Sequence, residues 1–185
     1  IKILFKVFYK YSACIKICTD DLTILCDPWF GGDAYDGTWG QYPEINDLEN
    51  LVGDFDMVYI SHIHPDHYCF ESLKRLFNKF GEKKIIIGDW GKNKANFLER
   101  KIRSDGFGNL LCISNNETVN DTEINIIPNN TNSISDIDTA LIVSSKQTGK
   151  AVLNINDCIY NQSHFNQILE LKNKLKIEFT LFCLG

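Results

Sequence analysis

The feature that most constrains this chain is a histidine cluster between an apolar run and a helical pattern. Three of the four histidines fall within residues 62–67, which read HIHPDH. The apolar run Met57–Ile60 precedes the cluster and is typical of a short buried strand. After the cluster, large apolar residues recur at helical spacing over 73–80, and Gly81 is a typical helix end. The segment therefore predicts a strand, a ligand-rich turn and a helix in direct succession.

The imidazole and carboxylate side chains of this turn are suited to binding metal ions. In an extended backbone, residues two apart project to the same side, about 6–7 Å apart along the chain, so His62 and His64 can hold one ion. Pro65 turns the chain and directs Asp66 and His67 toward a second position. A single histidine is usually an ordinary core residue, but that explanation fits a cluster of three poorly. The turn therefore predicts ligands for two neighbouring metal ions.

A carboxylate later in the chain could bridge two such ions. Asp157 follows the strand-like segment 151–155, just as His62 follows Met57–Ile60. Functional residues are often placed where strands end and loops begin, so the two side chains could meet at one sheet edge. An aspartate after a strand is also a common turn former. The residues alone leave both roles open for Asp157.

The composition predicts one folded domain that acts on small molecules. A chain of 185 residues with 44% hydrophobic and 12% aromatic residues can bury a sizeable core. The net charge of −5 argues against nucleic acid as a partner, because phosphates attract basic surfaces. There is no apolar run of about 18 residues and no signal-peptide pattern, so we expect no membrane span and a cytoplasmic location. Seven cysteines without a C-x-x-C pair indicate reduced core thiols.

Strand-like segments come first along the chain and then alternate with helical patterns. The three segments between residues 1 and 26 are separated by short turns and predict an antiparallel meander. Later segments alternate with helical patterns such as 92–104 and 163–175, and they predict strand–helix–strand crossovers. Two sheets with helices outside would bury both halves. Because Gly185 directly follows a strand-like segment, we expect one domain over 1–185 that continues beyond its C-terminal end.

Three segments together resemble the metallo-β-lactamase superfamily. Residues 62–67 match its H-x-H-x-D-H signature, which is a specific motif. Residues 25–30 (LCDPWF), followed by the glycine- and aromatic-rich loop at 31–43, are similar to the aspartate-bearing strand end before that signature. Residues 154–158 (NINDC) are similar to the strand that delivers a bridging aspartate. The resemblance is strongest for the branch that contains the metallo-β-lactamase-like domain of CMP-N-acetylneuraminate hydroxylase.

The resemblance implies a fold and a set of residue roles. The implied fold is α/β, a four-layer αβ/βα sandwich of two mixed sheets with helices on the outside and metals at one edge. The implied site comprises His62 and His64 on a first ion, Asp66 and His67 on a second ion, Asp157 between the ions, and Asp27 supporting the ligands from behind. The expected cofactor is one or two Zn²⁺ ions, or alternatively Fe or Mn.

The chain departs from the family at two histidine positions. The family supplies a third histidine to the first metal, but residues 120–150 contain none. Asn130, Asn132 or Asp136 could offer an oxygen ligand there, or a water molecule could take the place. The remaining histidine, His164, comes early for the family's last ligand, and we interpret it as a surface or capping residue. The last ligand is then expected beyond the end of the chain.

The resemblance implies a metal-dependent hydrolase. Metal-activated water would attack an ester, lactone, amide or phosphodiester of a small molecule, with Asp66 orienting that water. Trp29 and Trp39 could contact the substrate or simply pack the loop against the domain. Two other hypotheses stay open: an iron-dependent, oxygen-using oxidoreductase of the same fold, and a metal-poor protein that binds without catalysis. The sequence leaves the substrate, the metal and the oligomeric state undetermined.

Overall fold

Two β-sheets face each other in the computed structural model, which describes residues 5–91, 96–129, 131, 133, 136–158, 161–175 and 177–181. The first sheet contains β1 (Lys6–Tyr11), β2 (Cys14–Cys18), β3 (Thr23–Cys26), β4 (Met57–Tyr59), β5 (Lys84–Gly88) and β6 (Leu110–Ile113). The second contains β7 (Asn116–Val119), β8 (Thr122–Pro128), β9 (Thr139–Ser145), β10 (Lys150–Asn154) and β11 (Ile177–Leu181). The helices of the described residues are α1 (Leu48–Val52), α2 (Phe70–Phe80), α3 (Phe97–Ser104) and α4 (Gln162–Leu175).

The pairing of the strands shows that both sheets are mixed. The first sheet has the order β1-β2-β3-β4-β5-β6, with antiparallel pairs from β1 to β3 and parallel pairs from β3 to β6. The second has the order β11-β10-β9-β8-β7, antiparallel from β7 to β10 and parallel between β10 and β11. The predicted antiparallel meander is confirmed over β1 to β3. Crossovers are confirmed through α1, α2, α3 and α4, while the strand start predicted at Ile1 lies outside the described residues.

The prediction of crossovers is wrong for the strands from β7 to β10. Only Asn120 and Asp121 separate β7 from β8, and residues 146–149 separate β9 from β10. Connections this short join antiparallel strands, because a parallel crossover needs about a dozen residues or more. The sequence pattern does not predict β7 either, since three of its four residues are exposed and it carries no apolar alternation.

Alternating side chains fill three apolar layers. Ile24 and Leu25 are both fully buried but belong to different layers, because neighbouring strand residues point to opposite faces. The layer between the sheets includes Ile24, Tyr59, Ile86, Ile124, Leu141, Val143 and Val152. The layer beneath α1, α2 and α3 includes Leu25, Val58, Ile85, Leu48, Leu73, Leu76 and Ile102. The layer beneath α4 includes Ile127, Ile142, Leu153 and Ile168. The predicted four-layer sandwich with helices on the outside is therefore confirmed.

The two sheets approach each other closely at Thr139, the first residue of β9. The Tyr59 hydroxyl donates to the Thr139 carbonyl oxygen at 2.8 Å, and Thr139 Oγ1 donates to the Ser61 carbonyl oxygen at 2.8 Å. Gly88, the last residue of β5, lies so close that a β-carbon there would be 2.7 Å from Thr139 Cγ2. These contacts hold the carboxyl ends of β4 and β5 against the start of β9.

Two sequence expectations concern membranes and thiols. Over the described ranges, the helices lack the length and apolarity needed to cross a bilayer. The cysteines at described positions are free thiols, and Cys14, Cys26 and Cys158 are buried. This agrees with the prediction of reduced core thiols for that part of the chain.

Substitution of Gly88 tests the close approach of the sheets. Gly88→Ala is expected to lower the free energy of unfolding by about 1–3 kcal/mol, because the added methyl group overpacks Thr139. The measurement is urea denaturation followed by circular dichroism. Gly108→Ala is the matched control, since a β-carbon there meets nothing within 4 Å, and its effect should stay within about 0.5 kcal/mol. Equal effects of the two changes would contradict the packing described for Gly88.

Candidate metal centre

The histidine cluster lies in a tight turn between β4 and α2. The backbone amides of His67 and Tyr68 both donate to the His64 carbonyl oxygen, at 3.0 and 2.8 Å, which closes the turn around Pro65. His62 and His67 are buried, with 0% and 1% exposure, whereas His64 is only partly buried. The predicted succession of strand, turn and helix is therefore present, and it concentrates imidazole groups at the carboxyl end of β4.

One group of donor atoms combines two imidazoles with a carboxylate. His62 Nε2 lies 2.9 Å from His64 Nδ1 and 3.8 Å from Asp157 Oδ2. Each of these three residues offers one ligand atom, and the three atoms lie within 4.8 Å of one another. Nitrogen and carboxylate oxygen atoms at such separations suit a single divalent ion. The structure therefore brings His62 and His64 together, as predicted from their spacing. It also brings Asp157, which comes much later in the chain, next to them.

A second group of donor atoms shares the same Asp157 oxygen. His67 Nε2 lies 3.4 Å from Asp157 Oδ2 and 3.6 Å from Asp66 Oδ2. Asp157 Oδ2 therefore lies between the His62 group and the His67 group. One carboxylate oxygen therefore faces both sets of donor atoms.

Asp27 supports His67 from the side away from Asp157. It is fully buried at the end of β3, where its Oδ1 accepts a hydrogen bond from the Ser61 amide at 2.8 Å and its Oδ2 lies 3.2 Å from His67 Nδ1. A carboxylate on Nδ1 orients the ring and turns Nε2 toward the donor group. Burial lowers the pKa of His67, but the charges of Asp27 and Asp157 outweigh it and raise that pKa to about 10.

His62 has the opposite electrostatic character. Burial, together with the nearby charges of His67 and His64, lowers the pKa of His62 to about 3. Its imidazole is therefore neutral near pH 7 and keeps a lone pair for a ligand. A neutral imidazole is the form that binds metal ions, so His67, whose pKa is raised, would have to release its proton when an ion binds.

Asp138 is one of the residues of this site that the sequence reasoning missed. Its Oδ1 lies 3.4 Å from His62 Nδ1, on the ring nitrogen opposite the one that faces His64 and Asp157. This oxygen is buried and accepts no hydrogen bond from the described residues. Burial and the charge of Asp157 raise the pKa of Asp138 to about 6. In the sequence, the only sign of a role for Asp138 is its position directly before a strand-like segment, whereas Asp27 directly follows one.

The oxygen ligands proposed in place of the missing histidine are differently placed. Asn130 and Asn132 lie outside the described residues. Asp136 is buried, and its carboxylate accepts hydrogen bonds from the Thr131 amide and hydroxyl at 2.9 and 2.5 Å. Asp136 thus closes its own loop, and its role as a ligand stays a prediction.

His164 is buried in the first turn of α4 and is not a surface residue, so that part of its interpretation is wrong. Its exposure is 1%, and its backbone amide donates to Asn161 Oδ1 at 2.8 Å. His164 lies in the helix that covers the apolar layer containing Ile127 and Ile168. Its burial lowers the pKa of its imidazole. The convergent group of His62, His64 and Asp157 does not include it, within the described part of the chain.

The two tryptophans predicted to contact a substrate differ in exposure, and only Trp39 lies within the aromatic loop at 31–43. Trp29 is only 6% exposed, and its indole nitrogen donates to the Gly32 carbonyl oxygen at 3.2 Å. Gln41 donates to the Trp29 carbonyl oxygen at 2.7 Å, which ties the two ends of the loop together. Trp39 is 48% exposed. Substrate contact stays a prediction for both residues, but burial leaves Trp29 little surface for it.

Comparisons with known proteins bear on the fold and the family. The model of the β-lactamase superfamily domain matches residues 6–155. A Mycolicibacterium smegmatis protein, whose name suggests a Rieske 2Fe-2S iron–sulfur protein, is 32% identical over 143 residues, covering 73% of this chain and 26% of its own length. The inactive cytidine monophosphate-N-acetylneuraminic acid hydroxylase of Homo sapiens is 27% identical over 160 residues, covering 83% and 30%. The chain thus spans less than a third of these two relatives.

Solved structures share the fold at low sequence identity. CmlA, a diiron β-hydroxylase from Streptomyces venezuelae, superimposes with a TM-score of 0.58 at 18% identity, covering 78% of this chain and 28% of its own. An isothiocyanate hydrolase from Delia radicum gut bacteria superimposes with a TM-score of 0.68 at 15% identity, covering 97% and 72%. The family match over residues 6–155 agrees with the four-layer sandwich and its histidine-bearing edge. The chain belongs to the metallo-β-lactamase superfamily.

Proposed function

We propose that this chain is the metal-binding domain of a metal-dependent hydrolase that acts on a small molecule. The observation that carries the proposal is the position of Asp157 Oδ2, which lies 3.8 Å from His62 Nε2 and 3.4 Å from His67 Nε2. His62 and His64 would hold a first ion, Asp66 and His67 a second, and Asp157 would bridge them. The donor set fits divalent ions, because it combines imidazole nitrogens with carboxylate oxygens.

The residues of the site would prepare and direct the reaction. Bound divalent ions lower the pKa of water and polarise a carbonyl or phosphoryl oxygen. Asp66 is 8% exposed and directs Oδ2 toward the His67 group, so it can orient the attacking water and accept its proton. Asp27 would hold the His67 ring in place through its Nδ1 atom. The His62 Nδ1 atom lies 3.0 Å from the Ser61 hydroxyl, and the carboxylate of Asp138 would act on the His62 ring as a nearby charge at 3.4 Å. We propose a substrate contact at Trp39, because it is far more exposed than Trp29.

Iron-dependent oxygen chemistry is a second candidate, favoured by a specific observation. Several relatives with 26–28% identity bear hydroxylase names, and Asp66 and Asp157 give the proposed site carboxylate oxygens beside its three histidines. Oxygen-rich sites with open positions suit iron. The chain contains no C-x-H or C-x-x-H pattern for an iron–sulfur centre of its own. A metal-poor protein that only binds its ligand is the third possibility.

Metal reconstitution separates these candidates. The purified chain would be stripped with a chelator, reloaded with Zn²⁺, Fe²⁺ or Mn²⁺, and analysed for metal content. Each form would then be assayed against ester, lactone, amide and phosphodiester substrates and for oxygen uptake. Hydrolysis by the zinc form supports the proposal, whereas oxygen uptake by the iron form without hydrolysis favours the second candidate. A folded chain that binds none of the metals at micromolar concentration favours the third.

Removal of one histidine should distinguish ligand from bystander. His64→Ala is expected to weaken binding of the first metal equivalent by more than about 100-fold and to abolish activity, because the first ion loses a nitrogen ligand. His164→Ala should leave metal content and activity nearly intact, although it removes a buried side chain and lowers stability. Metal content by elemental analysis and affinity by chelator competition check both. Equal losses from the two changes would mean that His164 is a ligand.

The carboxylates behind the histidines should also affect metal affinity. Asp27→Asn and Asp138→Asn are each expected to weaken metal binding by about 10- to 100-fold, because the histidine ring beside each carboxylate loses its charged partner. Glu117→Gln, on the exposed strand β7, removes a carboxylate away from the site and should leave affinity unchanged. Isothermal titration with Zn²⁺ measures all three. If Asp138→Asn behaves like Glu117→Gln, the role assigned to Asp138 is wrong.

A further inference from the structure

Tyr35, in the aromatic loop, reaches across to a carboxylate of the metal centre. Its hydroxyl donates to Asp66 Oδ1 at 2.8 Å, although the two residues are 31 positions apart in the chain. The other oxygen of the same carboxylate, Oδ2, lies 3.6 Å from His67 Nε2. The two oxygens of Asp66 therefore face different partners, and only Oδ2 faces the donor group.

The ring of Tyr35 also packs beside the centre. It meets the His64 ring edge-on, with centroids 6.0 Å apart and an interplanar angle of 62°, and it lies 5.6 Å from the Trp39 ring. These aromatic contacts fix where the hydroxyl points. A change that removes only the hydroxyl would leave them in place, which makes the hydrogen bond separable from the packing.

The backbone of this loop is held in an unfavourable conformation. Tyr35 and Asp36 have φ angles of 52° and 55°, in the left-handed region that non-glycine residues rarely occupy. Ala34 and Trp39 exchange backbone hydrogen bonds of 2.8 and 3.1 Å, and Thr38 Oγ1 donates to the Tyr35 carbonyl oxygen at 2.7 Å. Two consecutive residues in this region persist only where their surroundings dictate it, and such strain clusters at functional sites.

We propose that Tyr35 is a positioning residue that holds Asp66 in the orientation needed for one-oxygen metal ligation, an inference that rests on the proposed metal-dependent function. The phenol donates to Oδ1, so Asp66 would present Oδ2 to an ion held beside His67. A carboxylate fixed in this way loses little rotational freedom when the ion binds, because the hydrogen bond has already ordered it. Tyr35 thereby couples the aromatic loop, and any substrate that moves the loop, to the geometry of the second ion.

The experiment compares Tyr35→Phe with the wild-type chain, using Co²⁺ and Zn²⁺ as probes. Tyr42→Phe is the matched control, because Tyr42 belongs to the same loop but is 94% exposed. Tyr35→Phe is expected to weaken binding of the second metal equivalent by about 10-fold and to alter the visible absorption spectrum of bound Co²⁺. Tyr42→Phe should change neither, and thermal unfolding of the apo proteins should show that both variants remain folded.

A double-mutant cycle with Asp66→Asn tests whether Tyr35 acts through Asp66. In the Asp66→Asn background, the Tyr35→Phe change should have no further effect on affinity or spectrum. An equal effect in both backgrounds, or no effect in the wild-type background, would overturn the role of Tyr35 while leaving the metal site intact. A wild-type chain that binds neither ion would overturn the proposed function itself, and with it this role, so the two failures are distinguishable.

Discussion

The meeting of the two sheets at Thr139 is the constraint on which the candidate site depends. Thr139 contacts the first sheet through Tyr59, Ser61 and Gly88, and its carbonyl oxygen also accepts a hydrogen bond from the side-chain Nδ2 of Asn156 at 3.3 Å. Ser61 immediately precedes the histidine turn, and Asn156 immediately precedes Asp157. One residue therefore aligns the segment that carries the imidazoles with the segment that carries the bridging carboxylate. The absence of a side chain at Gly88 is what permits this spacing.

Charge compensation explains why so many ionisable groups tolerate burial at this edge. An isolated buried charge is very costly, whereas a paired and hydrogen-bonded one is tolerated. Asp27 has the Ser61 amide and the His67 ring as partners, and His67 gains a raised pKa from the same arrangement. Asp138 is less fully compensated, because burial and the charge of Asp157 outweigh the charge of His67 and raise the pKa of Asp138 to about 6. A cation bound near Asp157 would offset the negative charge that its carboxylate and the neighbouring carboxylates leave at this site.

The sequence predicted what depends on local pattern and missed what depends on distant packing. The strand before His62 and the helix after His67 follow from apolar periodicity, and the motif itself indicated His62 and His64 as a pair. Asp157 needed the family resemblance, because a lone aspartate after a strand has no distinctive pattern. Asp138 could not be found in this way, since its contact with His62 exists only after two strands from different sheets meet.

Side-chain direction in loops was equally beyond the reach of pattern. Trp29 and Trp39 look alike in the sequence, yet one is buried under its own loop and the other is exposed. The Tyr35 hydroxyl meets Asp66 only because the loop folds back through the Ala34–Trp39 pair. β7 was missed for a related reason: an edge strand with polar residues is held by backbone pairing with β8 and not by an apolar face.

The separation along the chain between the histidine turn and Asp157 has a consequence for assembly. Four of the five proposed ligands lie in one turn, so bringing them together costs little chain entropy. Asp157 meets them only after the second sheet has formed and packed on the first, which brings residues 62 and 157 together. Contacts between residues so far apart in the chain are slow to form and cost chain entropy. An ion bound by both the histidine turn and Asp157 would stabilise the contact between these two segments. Metal occupancy of such a site would then report that the two segments have come together.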